Sequence, residues 1–510
     1  MDMTMLFNRK DRTPAAPPPA ACKPWARSEV DDAGWRAAAQ ELADGKADLL
    51  SLWSDGESVF LALFTPGSTQ LRLLSLACPE GRFPSVAQLH PPALRLERTI
   101  CDLYGLTAEG LPDPRRWLDH GRWGLRHPDG AAEPLATDND PYVFCPAEGA
   151  PLHQIPVGPV HAGIIEPGHF RFTANGEVVV RLEERLGFVH KGITRLMTGA
   201  TIDAAAKVAA RVSGDSTVAY SLAYAQAVEA ALGVEVPARA VWLRALMAEL
   251  ERLANHFGDI GAICNDAAFS LMLAQCGLIR ERLLRAAKSC FGHRLMMDRV
   301  APGGVTTDLS EEGAASLRVL LEWISAMTPR LVSLFGDTTS LQDRTVATGV
   351  LSEELARQYA AGGFVGRASG RKFDARRSVG YAPYEALSFD IGGSTDGDVD
   401  ARVWVRFDEI HASIQILEQV LDRLPHGPIR TAIEAPGPGP REGAALVEGF
   451  RGDIFVWLRI GPDGWIARAH LRDPSWLQWP LLEAVIKGNI VADFPLCNKS
   501  FNCSYSGHDL

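Results

Sequence analysis

Apolar residues run unbroken through Val59-Phe-Leu-Ala-Leu-Phe64 and nearly so through Leu71-Arg-Leu-Leu-Ser-Leu76. Such runs predict strands, and Pro66-Gly67 between them marks a turn. Further along the chain the period changes. Trp242, Leu246, Leu250, Leu253 and Phe257 recur at three- and four-residue spacing, which predicts one apolar helix face. Pro237 opens that helix, where a missing N–H costs nothing. Similar helical patterning covers residues 203–232, 270–296, 311–335 and 401–424, while 176–182 alternates like a short strand.

These patterns divide the chain. Residues 1–29, with the run Pro14-Ala-Ala-Pro-Pro-Pro-Ala-Ala21, read as a disordered tail. Residues 30–128 read as a small α+β domain. Residues 129–154 are rich in Gly, Ala and Pro without period and read as a linker. Residues 155–510 read as a larger, mostly α-helical domain with a small β-sheet at its edge.

Composition narrows the function. The 510 residues allow about two to four domains with ample core. Lys and Arg number 51 against 62 Asp and Glu, a formal charge of -11 that supplies no broad basic face for nucleic acid. The nine cysteines include no Cys-x-x-Cys pair, so neither a disulfide framework nor a thiolate metal site is indicated, and a reducing compartment is expected. Met1 to Lys10 lacks the apolar core of a secretory signal. The best apolar run, Ala267 to Ile279, is too short to span a bilayer. Any membrane contact is therefore expected to come through partners.

A few loops depart from plain core-and-surface patterning. Gly158-Pro-Val-His161 leads into Glu166-Pro-Gly-His169-Phe-Arg171, placing two histidines in a Gly/Pro-rich loop ahead of a strand. A histidine there can deliver a proton near neutral pH, or simply be a solvated turn residue. Asp266 follows the helix bearing Glu249, Arg252 and His256; a carboxylate there either orients a histidine or caps the helix. Arg211-Val-Ser-Gly-Asp-Ser216, Ala301-Pro-Gly-Gly-Val305 and Asn502-Cys-Ser-Tyr-Ser-Gly-His508 are small-residue stretches. No phosphate-binding loop, dinucleotide fingerprint, nucleophile elbow or zinc spacing is present.

Longer motifs carry a family resemblance. Leu96-Glu-Arg-Thr-Ile-Cys-Asp-Leu-Tyr-Gly105 with Pro112-Asp-Pro-Arg-Arg-Trp-Leu118 resembles the small hydrophilic (30-kDa-type) subunit of respiratory complex I. Residues 155–510 resemble the large (49-kDa-type) quinone-site subunit and the large subunits of energy-converting nickel–iron hydrogenases. The carriers are the two-histidine loop, Phe188-Val-His-Lys-Gly192, Glu249-Leu-Glu-Arg-Leu-Ala-Asn-His256, Pro302-Gly-Gly-Val305, Arg367-Ala-Ser-Gly370, Asp396-Gly-Asp-Val-Asp-Ala-Arg402 and Arg472-Asp-Pro-Ser475. The Glu-Pro-Gly-His-Phe-Arg wording is that of the hydrogenase branch, where fusion of the two units also occurs.

The resemblance implies both a chemistry and its limits. Hydrogenases of this kind hold nickel and iron through two Cys-x-x-Cys pairs, because soft thiolates suit the cluster. Those positions fall here on Ser213, Ser216, Ser504 and Gly507, so no resident metal and no hydrogenase activity are expected. The remaining family chemistry is reduction of a quinone-like acceptor. His169, with His161 second, corresponds to the histidine at the quinone headgroup, and Asp266 to its aspartate partner. The family's tyrosine position falls on Gly214; Tyr220 and Tyr224, further along the helix, are either substitutes or core aromatics. The implied partners are a small subunit carrying a 4Fe-4S cluster and antiporter-like membrane subunits. The implied location is cytoplasmic, peripheral on the inner face of the cell membrane. NADH, if used, would bind another subunit. Against this redox reading stands a scaffold that only couples its neighbours.

Overall fold

Every position of the strand Ser58–Phe64 after its first residue is buried, which explains why its sequence shows no polar alternation: both faces of the sheet are covered. The computed structural model describes residues 22–134, 141–161, 165–434 and 437–510. The strand pairs antiparallel with Asp48–Ser54 on one side and Leu71–Ala77 on the other, with Pro66-Gly67 in the connecting turn. The helices Asp32–Ala43 and Leu94–Tyr104 bury Trp35, Leu42, Leu96 and Ile100 in the main core along with Leu49, Leu61 and Leu63 of this sheet.

The other face of that sheet meets a second sheet, from the C-terminal part of the chain. Trp53, Phe60, Phe64 and Leu73 pack with Ala444, Leu446, Phe455 and Trp457, and the Trp53 ring stacks on His470 at 4.9 Å. The second sheet comprises Arg441–Gly449, Gly452–Ile460 and Ile466–Arg472 in antiparallel order. Its opposite face, including Val447, Ile454, Val456 and Leu458, joins the helical core. The small sheet expected at the edge of the helical domain is therefore central, buried between helices and the first sheet. Near-continuous apolar runs on both sheets make that burial favourable.

The predicted tail also needs correction. Cys22–Lys23 pairs in parallel with Arg441–Gly449, and Arg27–Glu29 pairs in parallel with Leu71–Ala77. Arg27 Nε donates to the buried Glu442 carboxylate at 3.0 Å. Residues 22–29 thus stitch the two sheets together; residues 1–21 of that tail lie outside the described residues. Within the predicted linker, Glu133–Pro134 pairs with Leu125–Arg126, and Leu152–Val157 begins a three-stranded antiparallel sheet with His169–Asn175 and Val178–Arg185.

Helices make the rest. The 29-residue helix Ala238–Asp266 is buried along most of its length and packs against Ser270–Phe291 and Val399–Arg423. The helical stretch expected at 203–232 is two helices, Ile202–Ala209 and Thr217–Leu232, because Val212-Ser213 turns away between them. Among the described residues no helix is long and apolar enough to cross a membrane. All nine cysteines are unpaired.

Candidate functional site

Two of the three small-residue stretches, nearly three hundred positions apart in sequence, meet. Ser213 precedes the short turn Gly214–Ser216, which feeds the helix Thr217–Leu232, and Ser504 caps the last helix, Tyr505–Asp509. Ser504 Oγ lies 3.5 Å from Ser213 Oγ, and Ser213 Oγ donates to Asp215 Oδ1 at 2.5 Å. Ser213, Ser216 and Ser504 are all buried.

Arg451 closes the same pocket. Its guanidinium forks onto Asp215, at 3.0 and 2.6 Å, and reaches Ser216 Oγ at 3.3 Å. Burial pushes the Asp215 carboxyl up, but Arg451 and the Ser213 hydroxyl outweigh it and hold the group below its ordinary value. Asn255 Nδ2 donates to the Asp215 carbonyl at 2.6 Å, tying this loop to the long helix.

Gly507 stands against a carboxylate. A Cβ on Gly507 would fall 2.4 Å from Asp473 Oδ2 and 2.6 Å from Asp473 Cγ. Asp473 Oδ2 accepts from the Tyr220 hydroxyl at 2.6 Å, and Oδ1 accepts from the Ser475 amide at 2.8 Å. Burial, with Asp473 alongside, keeps the Tyr220 phenol far above its usual range. Sequence reasoning assigns Asp473, Arg451 and Asp215 no role. For Asp473 the available signal is its place inside the motif Arg472-Asp-Pro-Ser475.

The donors present do not suit a thiolate-bound nickel–iron centre. Three hydroxyls and a glycine stand at the four positions. Cys503, next to Ser504 in the chain, is a single buried thiol, and one thiol cannot replace four thiolate donors. Gly214 differs from Gly507. A Cβ there would meet only Leu295 Cδ1, at 3.9 Å, so nothing crowds the position that the resemblance aligns with a tyrosine. Tyr220 reaches the pocket through Asp473, whereas Tyr224 donates to the Ile202 carbonyl at 2.9 Å and is a core aromatic.

The two-histidine loop sits beside this pocket. Glu166 accepts from the Ser506 amide at 3.0 Å, docking the loop on the final helix. His169 opens the strand His169–Asn175; its Nδ1 lies 3.0 Å from the Gly158 carbonyl, and Arg171 Nε donates to its Nε2 at 3.3 Å. That pattern assigns the ring proton to Nδ1. Burial, then Arg171, lowers its pKa and keeps the ring neutral. His161 is half-buried in the same loop, whose residues 162–164 lie outside the described ones.

His169 faces a cavity of about 570 Å³ lined by Arg116, His120, Arg122, Tyr142, Phe144 and Arg185, among others. The Arg185 guanidinium, stacked on Tyr142 at 4.4 Å, has no carboxylate partner among the described residues, and burial lowers its pKa to about 10. A larger cavity of about 930 Å³, between residues 42–48 and 354–378, holds none of the predicted site residues.

Asp266 is placed differently from its expected role. It ends the long helix and pairs with Lys499 Nζ at 2.6 Å. Among the described residues no hydrogen bond or ion pair joins it to His169.

Comparison with known proteins places this architecture. Residues 266–442 match the family model of the respiratory-chain NADH dehydrogenase 49 Kd subunit, and residues 29–140 match that of the 30 Kd subunit. The chain is 32% identical to formate hydrogenlyase subunit 5 of Escherichia coli (strain K12), over 84% of this chain and 77% of that protein. It is 27% identical to an NADH-quinone oxidoreductase subunit from Bacteroides thetaiotaomicron, over 80% and 82% of the two chains. A chain from the structure of the membrane-bound sulfane sulfur reductase, an archaeal respiratory membrane complex, superposes with a TM-score of 0.67 at 25% identity, over 70% of this chain and 98% of that one.

Fold and relatives together define an oxidoreductase subunit of the complex I type. The chain belongs to the family of complex I-related subunits in which the 30-kDa and 49-kDa types are joined in one polypeptide. Its relatives work as parts of multi-subunit membrane respiratory and hydrogenase complexes.

Proposed function

We propose that this chain is the redox-site subunit of a membrane-associated complex I-related oxidoreductase without a nickel–iron centre. It takes electrons from a 4Fe-4S cluster on a partner small subunit and passes them to a quinone-like acceptor. Antiporter-like membrane partners use the energy to move ions, and the chain sits peripherally on the inner face of the cell membrane.

One observation carries the reading. The segments that bear thiolates in hydrogenases still converge at 3.5 Å here, yet end in hydroxyls, with Asp473 standing against the fourth position. A fold that keeps the site's walls while replacing its metal donors supports electron transfer to another acceptor rather than hydrogen chemistry. His169, at the cavity beside that site, is the residue expected to exchange a proton with the acceptor. Its Nε2 is tied to Arg171 by one long bond of 3.3 Å, which an acceptor can displace.

The test uses the complex purified from its native membranes. General acid–base groups contribute about 10²–10⁴-fold, so His169→Ala is expected to lower reduction of a quinone analogue by at least about 100-fold while subunit composition is kept. An unchanged rate would reject the assignment. It would favour a non-catalytic scaffold, a reading that Gly214 at the tyrosine position and the Asp266–Lys499 pair support.

A further inference from the structure

Beneath the pocket lies a second cluster of charges, fully enclosed. The long helix contributes Glu249, Arg252 and His256; residues 367–376 contribute Arg367, Asp374 and Arg376; the helix Val399–Arg423 contributes Glu409; and the strand Arg441–Gly449 contributes Glu448. All eight side chains are buried. Arg367 donates to Glu409 Oε1 at 2.5 and 3.0 Å and to Glu448 Oε1 at 3.0 Å. Arg376 forks onto Asp374 at 2.7 and 3.0 Å and reaches Glu249 at 2.9 Å. Arg252 lies 3.3 Å from Glu249 and 3.6 Å from Glu409.

The charges do not balance. Four carboxylates face three guanidiniums. Of the adjoining buried ions, Arg406 is matched with Asp259, Arg472 with Asp453 and Arg451 with Asp215, while Glu251, held by the Val218 and Ala219 amides, and Arg402, held by Ser500 and two carbonyls, have no ion-pair partner among the described residues and offset one another. An uncompensated buried charge is costly, so the cluster holds one proton.

Geometry decides where. His256 donates from Nε2 to Glu409 at 2.8 Å, and its Nδ1 is buried without a partner among the described residues, between the rings of Phe364 and Phe450. A proton on Nδ1 would place an unsatisfied cationic donor in that apolar slot, so the imidazole is neutral. Glu409 is saturated by Arg367 and His256, Asp374 by Arg376, and Glu249 by Arg376, Ser413 and Tyr384. Glu448 has the least support: one Arg367 N–H, which also lies 3.5 Å from Asp374, and the Ala375 amide at 2.8 Å.

We propose that this cluster is a proton-holding site, with Glu448 carrying one exchangeable proton at neutral pH. The charged groups facing the Glu448 carboxyl are Asp374, Arg367, Asp453 and Arg252, and the Glu448 backbone amide donates to the Tyr381 hydroxyl at 3.2 Å. Burial first, then the nearby Asp374, pushes the Glu448 carboxyl up to about 7. By contrast, Arg367 and His256 overcome burial to hold Glu409 well below its ordinary range.

The site stands independently of the redox reading, to which it is linked by position. Glu448 and Arg451 flank Gly449-Phe450 at the hairpin between the strands Arg441–Gly449 and Gly452–Ile460. Negative charge arriving beside Arg451 favours retention of the proton, and positive charge favours release.

The test uses the purified full chain as wild type, Glu448→Gln and Glu409→Gln. A raised carboxyl gives stability that is complete below its unfolded value and is lost as pH rises through the folded value. Glu448→Gln, an isostere of the protonated group, is expected to fold and to match or exceed wild type at pH 7.5. Relative to wild type, its folding constant should improve by about two orders of magnitude between pH 4.5 and 7.5. Burial also pushes up the Glu97, Glu184 and Glu251 carboxyls, so infrared difference spectra at pH 6 are compared: one protonated-carboxyl band shared by wild type and Glu409→Gln should be missing from Glu448→Gln. Failure of Glu448→Gln to fold, persistence of that band in it, or an imidazolium signal from His256 at pH 7 would overturn the proposal. None of these readouts involves electron transfer, so a negative result leaves the redox reading standing.

Discussion

Gly507→Cys is expected to destabilise the chain by about 3 kcal/mol and to bind no nickel, alone or together with Ser213→Cys, Ser216→Cys and Ser504→Cys. The added Cβ meets Asp473 Oδ2 at 2.4 Å, closer than two such atoms can stand. Asp473 cannot yield cheaply. Moving it breaks its bonds to the Tyr220 hydroxyl, at 2.6 Å, and to the Ser475 amide, at 2.8 Å, inside a buried pocket. Overpacking and an unpaired buried carboxylate each cost about 1–3 kcal/mol. Denaturant unfolding of the single variant, with nickel content after growth in nickel, measures both effects. Adding Asp473→Ala should recover part of the loss, because it removes the clashing atoms. Wild-type stability in Gly507→Cys would show that Asp473 does not hold the position.

Arg367→Ala is the second large effect, at about 3–5 kcal/mol, the usual result of stripping one partner from a buried ionic cluster. Arg367 is wholly buried and serves Glu409, Glu448 and the Phe373 carbonyl. Without it the Glu409 carboxylate loses its main counter-charge and Glu448 loses a donor, and the Glu409 pKa rises from its depressed value toward or above that of the unfolded chain. The loss should therefore shrink as pH falls from 7 to 5, since protonation relieves the unpaired carboxylates. Unfolding midpoints across that range check both the size and the sign. A uniform loss at all pH values would mean that packing, not charge, dominates.

Local features are what the sequence makes legible. The apolar face from Trp242 to Phe257 marks the long helix, and the runs at 59–64 and 71–76 mark strands, because each period is set by neighbours within a turn or a pleat. The meeting of the Ser213 and Ser504 segments is legible only through resemblance to longer motifs. The rest depends on partners far away in the chain. Cys22–Lys23 becomes a strand because Arg441–Gly449 offers it an edge, which no property of a Pro/Ala-rich terminus announces. Both faces of the C-terminal sheet are buried because the N-terminal sheet covers one of them, so a sheet expected at an edge is central. Asp266 matches a histidine partner by its place in a motif, yet the folded chain pairs it with Lys499. Asp473 and Glu448 look like ordinary carboxylates in the sequence. Their roles come from what surrounds them, a glycine without a side chain and a cluster short of one cation.

The central claim is that this chain works inside a membrane complex with an iron–sulfur partner and without nickel. The most direct measurement is to tag the chain and solubilise the membranes gently. The co-purifying subunits are then identified by mass spectrometry, and nickel and iron are quantified in the same sample. The account predicts an iron–sulfur small subunit and antiporter-like membrane proteins, with iron present and nickel absent. Recovery of the chain alone in the soluble fraction, or one nickel per chain, would contradict it.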